Sequence, residues 1–280
     1  SIKVDDRVLR TVVSHLESIN LNKTDLDVKG VAFEQFMDGF FKGDFGQYFT
    51  PRPIIEFAVK MMKPEHDWDV LDPACGSGGF LLYALDYMRS QAIEYYDKDT
   101  VDYFNYWHDF ASKHLYGIEI NDEIARVAKM NMIVHDDGHT NVISFDALDS
   151  IDKMHDHNRG FEAGKFDLIL TNPPFGSTIT KAEKPYLANY ELGKTKDAKG
   201  KYKDRPRQSS EILFIERIWE FLKPGTGKAA IVLPDGVLTN SSAQYVRDFI
   251  LEKFQLLAVV SLPQCAFAHF GAGVKTSIIF

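Results

Sequence analysis

The chain has 280 residues, 45% of them apolar, 13% aromatic and 26% charged, which suits a protein with at least one sizeable core and excludes a disordered, collagenous or coiled-coil one. No apolar run approaches the roughly 20 residues of a spanning helix, so no membrane partner is expected. The opening residues lack a basic flank and apolar run, and two cysteines, Cys75 and Cys265, cannot build a disulfide framework, so a reducing, cytoplasmic setting is expected. The net charge of −8 argues against coating nucleic acid with the whole surface. Even so, Lys194 to Arg207 carries seven Lys or Arg against two Asp.

In chain order, Val8, Leu9, Val12, Val13, Leu16 and Ile19 recur at three- and four-residue intervals and predict an amphipathic helix over Val4 to Ile19. A second short helix is expected over Ala32 to Phe41. Lys42 to Gly46 then reads as a break, which puts a boundary near residue 45 and divides the chain into an N-terminal helical segment, 1–45, and a larger domain, 46–280. Pro51 and Pro53 should delay the next helix to about Ile54. Beyond that, short apolar runs alternate with helix-length amphipathic segments, the pattern of an α/β fold with a mostly parallel sheet covered by helices. Seven strands are predicted: Trp68 to Leu71, Leu115 to Glu119, Asn141 to Phe145, Phe166 to Thr171, Ala229 to Leu233, Leu256 to Ser261 and Val274 to Phe280. Helices are predicted over Gly79 to Tyr95, Asp122 to His135, Ser210 to Leu222 and Ser242 to Phe254. Gly176 to Ser209 shows little periodicity and reads as a long functional or mobile loop. A strand that runs into the C-terminus suggests part of a longer protein.

Chemistry concentrates at strand ends. Asp72-Pro73-Ala74-Cys75-Gly76-Ser77-Gly78-Gly79 closes the first large-domain strand with an acid and opens a helix through a glycine-rich turn. Glycine tolerates positive φ and lets a ligand approach the backbone, and the helix N-terminus adds unpaired N–H groups. In open α/β sheets this is where nucleotides bind. The spacing fits the dinucleotide fingerprint poorly, because Leu81 stands where its third glycine would be and the next strand-end acid is Glu119. Glu119 is placed to accept from the two hydroxyls of a ribose, and Asp146, after the third strand, to accept from an adenine amino group. The fourth strand ends in Asn172-Pro173-Pro174-Phe175: an amide oxygen, a rigid turn that directs the Pro173 carbonyl, and an exposed ring, which together suit a planar amine. The pairs His135/His139 and His155/His157 lack thiolate company, and no metal site is expected.

Asp72 to Phe80 with Asn172 to Phe175 resemble the two principal motifs of S-adenosylmethionine-dependent adenine-N6 DNA methyltransferases. Gly46-Gln47-Tyr48-Phe49-Thr50-Pro51-Arg52 resembles the segment these enzymes fold over the methionine end of the cofactor. The motif order is that of the gamma class, and over about residues 30 to 280 the chain most resembles the modification subunit of type I restriction-modification systems. The resemblance implies a seven-stranded, doubly wound, Rossmann-like methyltransferase fold. It implies that Gln47, Tyr48, Phe49, Thr50, Pro51, Arg52, Asp72, Ala74, Gly76, Ser77, Gly78, Gly79, Glu119 and Asp146 serve S-adenosylmethionine, and that Asn172, Pro173, Pro174 and Phe175 hold a flipped adenine. DNA is the implied substrate, with a specificity subunit and a restriction subunit as partners; the C-terminal segment that meets the specificity subunit is absent from these 280 residues. The basic stretch Gly176 to Ser209 is a candidate DNA contact. A methyltransferase for protein glutamine or RNA, and a silent DNA- or partner-binding scaffold, remain open readings.

Overall fold

A computed structural model describes residues 5–17, 50–135, 141–196, 200–267 and 273–280. The chain divides between Gln47 and Tyr48 into two units. In the first, helix α1 (Asp6–Leu16) starts where the Asp5 carboxylate accepts from the Arg7 amide. Val8, Leu9 and Val13 on α1 are exposed. The helix expected over Ala32 to Phe41 lies outside the described residues, as do Gln47, Tyr48 and Phe49.

The second unit is built on a seven-stranded sheet. In chain order its strands are β1 (Val70–Asp72), β2 (Leu115–Glu119), β3 (Val142–Ser144), β4 (Leu168–Thr171), β9 (Lys228–Pro234), β10 (Val259–Ser261) and β11 (Thr276–Ile279), and their spatial order is β10-β11-β9-β4-β1-β2-β3. Strands β3, β2, β1, β4 and β9 are parallel, while β11 runs antiparallel between β9 and β10. All seven predicted strands are present: five lie at or inside their expected spans, whereas β1 runs one residue past Leu71 and β9 extends one residue beyond each end of Ala229 to Leu233.

Nearly every residue in β1, β2, β4 and the middle of β9 is buried, because helices cover both faces. Side chains still alternate between the faces. Val70, Leu168, Leu170, Ala230, Val232 and Ile278 pack under α2 (Arg52–Met62), α3 (Gly79–Tyr95), α4 (Val101–His114) and α5 (Asp122–Val134). Leu71, Ile118, Ile169, Ile231, Leu233 and Ile279 face α6 (Ile151–His157), α7 (Ser210–Phe221) and α9 (Gln244–Lys253). A short α8 (Asp235–Thr239) follows β9. Among the described residues no helix is long and apolar enough to cross a membrane.

Three details differ from expectation. Helix α2 starts at Arg52 rather than Ile54, with Pro53 inside its first turn, where a proline's missing N–H has no helical partner to lose. Helices α4 and α6 were not predicted; Thr100 caps α4 by accepting from Tyr103 N at 3.2 Å. Within 176–209 two antiparallel ribbons form: β5 (Thr178–Thr180) with β8 (Arg207–Ser209), and β6 (Lys194–Lys196) with β7 (Tyr202–Asp204). A 3-10 turn over Pro185–Asn189 buries Leu187 in the core, so this stretch is a built insert rather than a bare loop.

Candidate active site

Strand order turns at β1, which has β2 on one side and β4 on the other. Chains leaving adjacent parallel strands in opposite directions open a crevice at their carboxyl ends. The glycine loop leaves β1 there and the Asn-Pro-Pro-Phe turn leaves β4 beside it.

The loop is shaped by its own backbone. Cys75 N donates to Ile118 O at 2.9 Å and Gly78 N to Cys75 O at 2.8 Å. Gly76 and Gly78 adopt φ of +53° and +89°, a region side chains resist. A Cβ on Gly76 would meet nothing within 4 Å, so that position faces open space. Gly78 caps α3 without any side-chain acceptor, and Gly79 opens the helix. Asn131, on α5, donates Nδ2 to Ser77 O at 3.0 Å and holds the loop from outside.

Two carboxylates, Asp72 and Glu119, contact the loop, and a third, Asp146, follows β3. Asp72, 2% exposed, accepts from Ala74 N at 3.0 Å and from Thr171 Oγ1 at 2.7 Å. Burial raises its pKa to about 7, against the lowering effect of those two donors. Burial also pushes the Cys75 thiol well up, with Asp72 and Glu119 adding to it, so it stays neutral. Glu119 accepts from Gly76 N at 3.1 Å and Asn121 N at 2.9 Å; it braces the loop in addition to standing where a ribose was expected. Asp146 accepts from Leu148 N at 3.1 Å, and its Oδ2 accepts from Lys184 Nζ and Tyr186 OH, each at 2.9 Å. The insert therefore docks on the acid assigned to the adenine amino group, a contact no local pattern announces.

On the β4 side, Asn172 donates Nδ2 to Thr50 Oγ1 at 2.9 Å, while its Oδ1 is buried without a hydrogen-bond partner. Thr50 directly precedes Pro51, the N-cap of α2, so the described end of the segment expected over the cofactor's methionine touches the Asn-Pro-Pro-Phe turn. Pro173 is buried and Pro174 exposed. Phe175 does not stand free as expected: its ring is partly buried and meets Phe267 edge-on, with centroids 6.4 Å apart. Thus Thr50, Asp72, Thr171 and Asn172 form a continuous hydrogen-bonded row across the crevice through the Thr171–Asn172 peptide. Thr171 and Asn131 were missed in the sequence, where each reads as an ordinary polar residue in an apolar element. No cluster of three or more potential metal ligands occurs among the described residues.

A family model described as N-6 DNA methylase matches residues 24–280. The chain belongs to that family. It is similar to the EcoEI type I restriction enzyme methylase subunit of Escherichia coli, 29% identical over 98% of this chain and 50% of that one. It is also similar to the EcoKI methylase subunit of E. coli K12, 30% identical over 85% of this chain and 40% of the other. A crystal structure of a modification subunit ascribed to a type I restriction enzyme of Vibrio vulnificus YJ016 superposes with a TM-score of 0.73, at 26% identity, over 97% of this chain and 52% of that one. The chain thus spans about half the length of these relatives, and the fold is that of the S-adenosylmethionine-dependent methyltransferases among its structural neighbours.

Proposed function

We propose that this protein transfers the methyl group of S-adenosylmethionine to the N6 amino group of a flipped adenine in DNA, as the modification subunit of a restriction-modification system. The observation that carries the proposal is the unpartnered, buried Oδ1 of Asn172. Leaving a buried acceptor unsatisfied costs about 1–3 kcal/mol, and a donor from a bound ligand removes that cost. An exocyclic amine supplies such a donor at the tip of an apolar strand.

The residues at hand suit the cofactor. The open space over Gly76, the uncapped α3 N-terminus and the neighbouring Glu119 suit a nucleoside, and Thr50 to Arg52 with Gln47 to Phe49 are assigned to its methionine end. S-adenosylmethionine would supply an electrophilic methyl, with the S–CH3 bond broken, S-adenosylhomocysteine as the leaving group and one amine proton passing to solvent. An adenine amine is a weak nucleophile because its lone pair is delocalised into the ring. Asn172 Oδ1 and the Pro173 carbonyl accept its two N–H bonds and turn the lone pair out of the ring plane, while Phe175 packs on the base. Thr50 holds the Asn172 amide through Nδ2, which leaves Oδ1 to face the amine. Alignment of this kind contributes at most about 7–11 kcal/mol of barrier lowering. A stacked adenine is out of reach of such a pocket and is flipped at a cost of a few kcal/mol. Lys201, Lys203 and Arg207, exposed on the insert ribbons, face the DNA backbone in this reading, and a specificity subunit and a restriction subunit are the proposed partners.

The deciding experiment is Asn172→Ala. Calorimetric S-adenosylmethionine affinity should stay within about threefold, while tritiated-methyl transfer to DNA falls at least a hundredfold. Transfer that persists within tenfold, or tritium that appears in RNA or protein instead of DNA, defeats the proposal.

A further inference from the structure

The turn that holds the target base is itself held from behind, at the junction where the insert returns to the sheet. Ser210, 2% exposed at the start of α7, donates its hydroxyl to the Pro174 carbonyl at 2.8 Å and its amide to Ser177 O at 2.9 Å. Glu211, 8% exposed in the same first turn, has a buried Oε2 without a hydrogen-bond partner, and its carboxylate lies near its own amide, the Gly176 amide and the Ser209 and Ser210 hydroxyls. Burial raises its pKa. Gly176 sits at φ +75°, where the chain turns sharply out of the motif.

These contacts supply what two prolines alone cannot. A proline ring fixes φ but leaves ψ to the surroundings. Pro174 constrains the conformation of Pro173, yet the Pro174 carbonyl is aimed only by what anchors it, and the anchor is Ser210. The next peptide, at Gly176, lies beside the buried Glu211 carboxylate. The direction of the Phe175 ring is set between those two points.

We propose that Ser210 and Glu211 are positioning residues for the adenine pocket, which clamp the Pro174–Gly176 corner so that the Pro173 carbonyl and the Phe175 ring stand in register with Asn172 Oδ1. The inference rests on the function proposed above and adds two residues to its machinery, although neither touches the base. A buried carboxylate under the turn also explains why α7 begins with a charged residue inside the core.

The test measures kcat and KM with unmethylated genomic DNA, together with S-adenosylmethionine affinity by calorimetry, on the intact protein. Ser210→Ala and Glu211→Ala should each lower kcat at least tenfold, with KM for DNA and cofactor affinity within twofold of wild type. Ser210→Thr and Glu211→Gln, which keep the hydroxyl and the acceptor, should recover to within threefold. Ser210→Cys preserves volume with a much weaker donor and reads the same loss should the alanine variant not fold. A fall in kcat of less than tenfold overturns the proposal, as does a loss of cofactor affinity that matches the loss of rate, or conservative variants as slow as the alanine ones. Wild-type protein that binds S-adenosylmethionine yet methylates no DNA would defeat the function itself, whereas active wild type with equally active variants defeats only the clamp.

Discussion

The two sides of the crevice are built on opposite plans. On the β1 side the amides of Cys75, Gly76 and Gly78 are satisfied by Ile118, Glu119 and Cys75, so in the proposed function recognition there is a matter of backbone shape. On the β4 side the atom the proposal puts to work, Asn172 Oδ1, is a side-chain oxygen left without a donor, and Thr50 holds its amide through Nδ2. A backbone cradle is specified by residues that permit unusual φ. A waiting acceptor is specified by residues that deny it every internal partner, at a cost in stability. The Asp72–Thr171 hydrogen bond is where the two plans meet.

The largest expected effect tests that meeting point through pH. Asp72 has a folded pKa of about 7 against an ordinary 3.8. Below about pH 4 it is protonated both folded and unfolded and costs nothing. Between about 4 and 7 the unfolded chain ionises while the folded one keeps its proton, so stability falls, and above 7 the cost levels off near 4 kcal/mol, at about 1.36 kcal/mol per unit. Asp72→Asn removes the titration but keeps an acceptor for Thr171 and Ala74. In urea unfolding, the variant should therefore gain on wild type by about 2–3 kcal/mol between pH 5 and pH 8. A gap that does not change with pH would mean that Asp72 is ionised at no cost and that the crevice floor is wetter than its burial indicates.

Next is the tie itself. Thr171→Val keeps the shape and removes the donor, which leaves a buried carboxylate with the Ala74 amide; the expected loss is about 1–3 kcal/mol at pH 8. Because Thr171 is adjacent to Asn172, the rate of methyl transfer should fall more than cofactor affinity does. Equal losses in both would place Thr171 wholly on the cofactor side and break the distinction drawn above.

The comparison also explains what sequence could and could not disclose. In a doubly covered sheet the strands are continuous apolar runs, so β2, β4 and β9 were readable, as were helices with clear three- and four-residue spacing. Helix α4 was not, because Val101 to His114 is dense in aromatic and polar residues with only Trp107, Phe110 and Ala111 buried. The insert ribbons pair three residues at a time, too few to show alternation, and are fixed instead by contacts such as Lys184 and Tyr186 on Asp146. At the site, Gly76, Gly78, Pro173 and Pro174 declare themselves because their backbone chemistry is unusual wherever it occurs. Thr171, Asn131 and Ser210 bond partners 99, 54 and 36 positions away in the chain, and no local window holds both ends.

The two positive-φ glycines sharpen the account of the cradle. Alanine at either costs about 1–2 kcal/mol in backbone conformation. At Gly78 the new Cβ would lie 3.6 Å from Met132 Sδ and 3.8 Å from Ala128 Cβ, ordinary contacts within the fold; at Gly76 it would project into the open crevice. Both variants should lose similar thermal stability, but Gly76→Ala should weaken S-adenosylmethionine binding at least tenfold more than Gly78→Ala. The reverse order in calorimetry would move the cofactor to the other side of the loop.

The smallest expected effect concerns the insert. Lys184 is 41% exposed at its side chain and shares Asp146 with Tyr186. A half-exposed ion pair contributes about 0–1 kcal/mol, whereas the Tyr186 phenol, kept protonated because burial and Asp146 both push its pKa up, donates a hydrogen bond that loses little to solvent. Lys184→Ala should therefore leave the melting temperature within about 2–4 °C, and Tyr186→Phe should lower it more. If the insert also carries DNA, Lys184→Ala should reduce the dependence of DNA binding on salt by no more than about one phosphate's worth, because this lysine is already paired to the protein. A larger change would show that Lys184 leaves Asp146 when DNA binds, and would make the acid assigned to the cofactor's adenine a switch shared by both sides of the crevice.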